Sequence, residues 1–275
     1  MCANTTTEGS DIVHHDTPLV SSLRIQLRVV GALLMREILT RYGRHNVGFL
    51  WIFFEPMMFT LGVLALWTAL NATHGTTLSI TSFAVTGYSS VLLWRNCANR
   101  CALAILPNQA LLYHRNVRVI DLFFARLLLE IAGATMSFVF LTVFFVAIGM
   151  MDPPKNISLV LGGWLHLAAF GCSLGLIVGA LSERSETVER VWHTIAYLLF
   201  PLSGAVFMVE WIPEKFRAVV LYLPMVHGTE MLRGGYYGSL VKPHYSIPYM
   251  VACDSVLMLI GLFLVRDASK RVEPE

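Results

Sequence analysis

The sequence predicts an all-α polytopic membrane protein: six transmembrane helices, an N-terminal helix at the cytoplasmic interface, and a re-entrant segment between spans 5 and 6. Three observations predict it. Of the 275 residues, 56% are hydrophobic and only 14% charged, where soluble domains average about 25% charged. That deficit suits a solvent in which isolated charges are costly. The apolar residues gather in runs near the ~20 residues that a ~30 Å hydrocarbon core requires. Lysine and arginine are also sorted between alternate connections. With six crossings, fifteen of the 20 basic residues fall on the side of the N-terminus, as expected of cytoplasmic segments. Both termini are therefore expected in the cytoplasm.

Taken in order, residues 1–22 form a polar arm without an apolar signal-like core, expected to be disordered. Over 23–45, Leu23, Leu27, Val30, Leu34 and Ile38 recur at spacings of three or four, which makes one helical stripe. Arg24, Arg28, Arg36, Glu37 and Arg41 prevent this helix from spanning, so it is expected to lie at the interface with its arginines near anionic head groups. A short helix packed on a partner is the alternative. Residues 46–275 form the transmembrane domain, with spans at about 50–70, 78–94, 127–150, 159–181, 191–208 and 249–265. Span 2 is dotted with hydroxyls (Ser79, Thr81, Ser82, Thr86, Ser89, Ser90), which should face other helices or water. The inner connection, 95–126, suggests a short helix across the membrane face after Pro107. In the outer one, 209–248, FRAVVLYLPMV is apolar but too short to cross, with Pro213 suited to a helix start and Pro224 to a break. Such a segment is re-entrant or interfacial.

Little here points to catalysis. Gly171-Cys172-Ser173-Leu174-Gly175 matches G-x-S-x-G, but that elbow needs a strand, a turn and a helix. Gly171, Gly175 and Gly179 lie four apart in a span, and a flat face for close helix packing explains them better. No Gly-Lys dipeptide occurs, so no Walker A loop, and no H-E-x-x-H. The five cysteines lack CxxC spacing and read as packing thiols. Neither a cofactor nor a metal is expected in this chain. The intramembrane acids are more informative: Glu55 just inside span 1, Glu130 four residues after Arg126 and so able to pair with it, and Asp254 near the outer edge of span 6.

Three stretches, REILTRYGRHNVGFLWIFFEP (36–56), NQALLYHRNVRVIDLFFARLLLE (108–130) and LPMVHGTEMLRGGYYG (223–238), resemble the permease of bacterial capsular-polysaccharide ABC exporters, the KpsM type of the ABC-2 group. The resemblance covers roughly 24–266 in the same order. It implies a homodimeric channel in the inner membrane, served by two separate ATP-binding cassette subunits that supply ATP and magnesium chemistry. It further implies a periplasmic adaptor, an outer-membrane polysaccharide exporter, and an acidic, lipid-linked polysaccharide as cargo. Nucleic acid is not an expected partner. The segment near Asn108 to Asn116 (Asn108, Gln109, Leu111, Leu112, Tyr113, His114 and Arg115) would be the coupling element seated in the ATPase, and 209–248 would form short re-entrant helices.

On that reading Arg36, Arg41 and Arg44 attract the acidic lipid-linked end. Trp51, Phe53, Phe54, Glu55 and Tyr88 line a path along which the glycan slides. Alternatives are a permease for another lipid-linked glycan (O-antigen, teichoic acid) or a drug, an intramembrane hydrolase using Ser173, and a scaffold without transport.

Overall fold

The computed structural model describes residues 19–42, 50–70, 78–112 and 117–272. Most of the N-terminal arm, Arg44 and the residues Tyr113, His114 and Arg115 lie outside the described residues, as does the side chain of Phe53. Helices run in the order α1 (Leu19–Tyr42), α2 (Trp51–Ala69), α3 (Ile80–Cys101), α4 (Gln109–Leu112), α5 (Val119–Ala147), α6 (Ile157–Ser182), α7 (Glu186–Leu202), α8 (Glu214–Val220), α9 (Pro224–Tyr237) and α10 (Ile247–Val272). Short 3-10 turns precede α4 and α8 and follow α9, and no strand occurs among the described residues. By length and composition α5, α6 and α10 are long and apolar enough to cross a membrane. Of the other expected crossings, α2 is apolar over Phe54–Ala69, α3 carries the hydroxyl run, and α7 has 17 residues.

The bundle is built around α3 and α6. Residues 81–94 of α3 are buried without interruption. Two of its hydroxyls enter the interior by bonding their own helix: Thr86 donates to Ser82 O at 2.7 Å and Ser90 to Thr86 O at 2.6 Å, which satisfies both donors without a partner from another helix. Gly171, Gly175 and Gly179 of α6 face α3. A Cβ added at Gly171 would lie 2.8 Å from Trp94 Cα, and one at Gly179 would lie 2.8 Å from Cys101 O. Another face of α6 meets α9, where a Cβ at Gly163 would stand 2.7 Å from Gly228 O. One end of the bundle is basic. There Ser182 Oγ accepts from Leu103 N at 3.0 Å, and Arg184 pairs with Asp267 at 2.5 Å. At the opposite end Asn156 N donates to Gly235 O at 2.8 Å, tying the α5–α6 turn to α9.

Several boundaries differ from the sequence reading. Helix α3 runs on to Cys101, α5 starts at Val119 and α10 ends at Val272. In each case the backbone ladder continues past the apolar stretch, because hydrogen bonding does not stop where lipid does. Helix α5 is started by Asp121, whose Oδ2 accepts from Arg118 N at 2.9 Å. Helix α7 stops at Leu202, short of the expected 208, where Gly204 at φ +82 turns the chain in the left-handed region. Helix α1 begins at Leu19 and climbs obliquely along α5, with Gln26 at Asp121 and Arg41 at Glu130. Its apolar stripe packs only in part: Leu23 and Leu27 are exposed, Val30, Leu34 and Ile38 are half-buried with Leu34 against the core, and Leu33 and Glu37 beside the stripe are buried.

Candidate functional site

At the basic end, α1, the end of α3, the turn before α4 and the start of α5 enclose a cleft of about 410 Å³. Arg36, Glu37, Arg41, Arg100, Asn108 and Arg126 dominate its lining. Helical phase explains the α1 contribution: 37 and 41 share one face, and 36 borders it. Arg41 Nε donates to Glu37 Oε1 at 2.9 Å, and Arg41 Nη1 reaches Glu130. Arg126 Nε lies 3.2 Å from Glu37 Oε1, and its Nη1 donates to Arg100 O at 2.8 Å. Arg100 pairs with Glu55 at 2.8 Å and approaches Glu130 at 3.5 Å. Burial alone would lower the Arg41 pKa, but Glu130 and Glu37 outweigh it and hold that pKa above the ordinary value.

The expected Arg126–Glu130 pair is therefore corrected: each takes a different partner. Glu37 and Arg41 of α1 intrude on this face of α5 and offer tertiary ion pairs, against which a local i,i+4 pair is worth only about 0.2–0.5 kcal/mol. Four guanidiniums (Arg36, Arg41, Arg100, Arg126) meet three carboxylates (Glu37, Glu55, Glu130), leaving one positive charge in excess. The surplus falls to Arg36, whose Nη1 donates to the neutral Asn108 Oδ1 at 2.5 Å. Asn108 in turn donates to Ala104 O at 2.8 Å, so Arg36 grips the first turn of the inner connection. Forked guanidiniums with spare donors suit carboxylate or phosphate.

The structure brings Arg36, Arg41, Glu55 and Asn108 to this cleft or its edge. Trp51 and Phe54 are exposed on α2. Tyr88 is buried behind them, its ring 5.6 Å from both Trp67 and Phe200 and 6.1 Å from Phe59. Gln109 is exposed, Leu111 half-buried and Leu112 buried in the lower core. Ser173 is buried within continuous α6 and donates to Ala169 O at 2.9 Å, so the strand–turn–helix that an elbow needs is not formed there.

Sequence reasoning missed Glu37, Asn99 and Arg100, which converge from different helices with no common spacing. It also missed Arg233 and Glu230 at the other end, where of the polar anchors it had marked Asp254. Arg233 is fully buried. Its Nη1 donates to Gly204 O at 2.6 Å and Phe207 O at 2.7 Å, its Nη2 to Ala205 O at 2.7 Å, and its guanidinium covers the Phe83 ring at 3.8 Å. Glu230 accepts from Val209 N and His244 N, each at 3.0 Å. His166 bridges Asp254, at 2.6 Å, and Pro224 O, at 2.9 Å. A buried arginine or glutamate in so apolar a chain was the available signal.

The ABC-2 type transporter family model matches residues 28–237. The chain is 46% identical over 261 residues to the capsule polysaccharide export inner-membrane protein CtrC of Neisseria meningitidis serogroup B, covering 95% of this chain and 98% of that protein. It is 43% identical over 259 residues to the capsule polysaccharide export inner-membrane protein BexB of Haemophilus influenzae, covering 94% and 98%. It is 27% identical over 246 residues to the polysialic acid transport protein KpsM of Escherichia coli, covering 90% and 95%.

Proposed function

The chain belongs to the ABC-2 type transporter family, and from that premise we propose that it is the permease subunit of an exporter moving lipid-linked capsular polysaccharide across the bacterial inner membrane. The observation that carries this reading is the near full-length identity to CtrC and BexB, whose names give capsule polysaccharide export. In it, α2, α3, α5, α6, α7 and α10 cross the membrane, α8 and α9 form the re-entrant segment, and both termini are cytoplasmic. Helix α1 sits at the inner interface, supported by its exposed Leu23, Leu27, Met35 and Leu39. Two copies form the conduit, and two ATP-binding cassette subunits drive it. A periplasmic adaptor and an outer-membrane exporter complete the route.

The basic cleft receives the acidic lipid-linked end. Its surplus positive charge favours an anion, and its shared carboxylates let guanidiniums change partners without being left bare. In this reading Arg44 also attracts that end. The glycan then passes the aromatic residues of α2, including Trp51, Phe53 and Phe54, beside Glu55 and Tyr88. The Arg36–Asn108 hydrogen bond joins the cleft to the coupling segment, so cargo at Arg36 bears on the same turn that the ATPase moves through Gln109, Leu111, Leu112, Tyr113, His114 and Arg115.

The test is complementation. In a capsule-producing strain deleted for its own permease, the wild-type chain with its ATPase restores surface polysaccharide; no restoration despite insertion overturns the reading. Changing Tyr113→Ala and His114→Ala together leaves insertion intact but uncouples ATP hydrolysis from export, and full export by that double variant refutes the coupling role.

A further inference from the structure

Beside the basic cleft lies a smaller pocket of about 60 Å³, lined by Arg95, Asn99, His193, Ala196 and Tyr197. Asn99 lines both, so the two share a wall. Arg95 precedes Arg100 by five residues on α3, which places it about 7.5 Å further along the helix from the basic end. Its guanidinium rests against two rings that meet edge-on, 5.5 Å from the Phe59 centroid on α2 and 5.6 Å from that of Phe200 on α7. Its Nε is buried without a hydrogen-bond partner, and among the described residues no carboxylate lies within ion-pair distance of it.

The lining carries donors and no carboxylate. Asn99 Oδ1 is already taken by Trp192 Nε1 at 2.8 Å, which leaves the Asn99 amide N–H groups to face outward. The Tyr197 side of the pocket is open, that residue being exposed on α7. His193 is half-exposed and lies 3.8 Å from Glu189 one turn away. The volume holds one ionic group rather than a sugar ring. A cation resting on two aromatic rings has little side-chain freedom left to lose on binding.

We propose that Arg95, with Asn99 and Tyr197, is an anion-binding station that takes a single carboxylate or phosphate of a passing acidic glycan after it leaves the basic cleft. This rests on the export reading above and names what the conduit recognises. One donor fork, without a second cation, holds an ionic group weakly enough to release it to the next repeat.

The full-length chain in lipid nanodiscs is titrated with three probes: hexagalacturonate (carboxylate), a glycerol phosphate hexamer (phosphate) and maltohexaose (neutral). Wild type is expected to bind at least one anionic probe about tenfold more tightly than maltohexaose at low salt, with the gap closing as salt rises. The anionic probe that wins identifies the group. Arg95→Gln cuts that preference back to the part that the basic cleft supplies, while leaving maltohexaose binding unchanged. Tyr197→Phe, an exposed change that spares the fold, weakens the anionic probe about threefold, and Arg95→Lys keeps part of the preference. Equal binding of anionic and neutral probes by wild type, or an unaltered preference in Arg95→Gln, overturns the assignment. The export reading falls separately, when the wild-type chain fails to restore capsule.

Discussion

Arg233 shows how much one residue can hold in so apolar a chain. Among the described residues no carboxylate lies within ion-pair distance of it; its charge is met by the carbonyls of Gly204, Ala205 and Phe207, where α7 has ended and the chain turns toward α8, and by the Phe83 ring on α3. Hydrogen bonds to a charged group are worth about 1.5–3 kcal/mol each, and an orphaned buried carbonyl costs about 1–3 kcal/mol. Arg233→Met should therefore destabilise the protein by at least about 3 kcal/mol, read as a large fall in the melting temperature of the detergent-solubilised chain. Arg233→Lys should fall between, because one ammonium cannot serve both the α7 exit and Phe83. An unchanged melting temperature in Arg233→Met would remove its anchoring role. At this scale the sequence was partly legible. Arg36 and Arg41 stand out as the basic flank of an apolar run, but nothing in spacing marks Arg233 as inward-facing or joins Glu37 to Arg126.

At the scale of elements, the α3–α6 joint depends on backbone approach rather than on side-chain bulk. A Cβ at Gly179 would meet the Cys101 carbonyl at 2.8 Å as well as the Phe123 ring, and that carbonyl, which closes α3 by accepting from Ala104 N, is backbone that cannot swing aside as a side chain can. A Cβ at Gly162 would meet only Met231 Cε, the end of a flexible side chain, at 2.5 Å. Gly179→Ala should therefore cost about 1–3 kcal/mol through overpacking. Gly162→Ala should be near neutral, since the helix gains roughly 0.5–1 kcal/mol from replacing glycine. Thermal unfolding of the two variants side by side checks this, and equal melting would deny the close approach. The four-residue glycine spacing was readable without coordinates; that it faces α3, whose Thr86 and Ser90 hydroxyls turn back on carbonyls of their own helix, was not. Helices α3, α5 and α10 run beyond the expected spans for a physical reason. Hydropathy reports where lipid ends, whereas helices end where caps and turns are, as at Asp121 and Gly204.

For the whole molecule, the two ends of the bundle are fixed by contacts and differ in charge, which predicts their placement across the bilayer. One end gathers Arg41, Arg100, Arg126, Arg184 and Arg271. The other carries Lys155 beside Tyr236, with Lys215, Arg217 and Lys242 on the segments around α9. The sequence count of fifteen basic residues against five understates the asymmetry, because the fifth, Arg233, is fully buried and presents no charge to either surface. An energetic bias against translocating basic segments should then place Gln109 inside and Ser239 outside. Both are exposed, so each can be replaced without disturbing packing. In a cysteine-free background, Ser239→Cys should react with a membrane-impermeant maleimide on intact spheroplasts, and Gln109→Cys only after permeabilisation. Arg271→Cys near the end of α10 should behave as Gln109→Cys does, because the Arg184–Asp267–Arg271 contacts hold α10's last turns at the basic end. Labelling of Gln109→Cys and Ser239→Cys from one side would be incompatible with six crossings, and a conduit with the basic cleft as its cytoplasmic entrance would have to be abandoned.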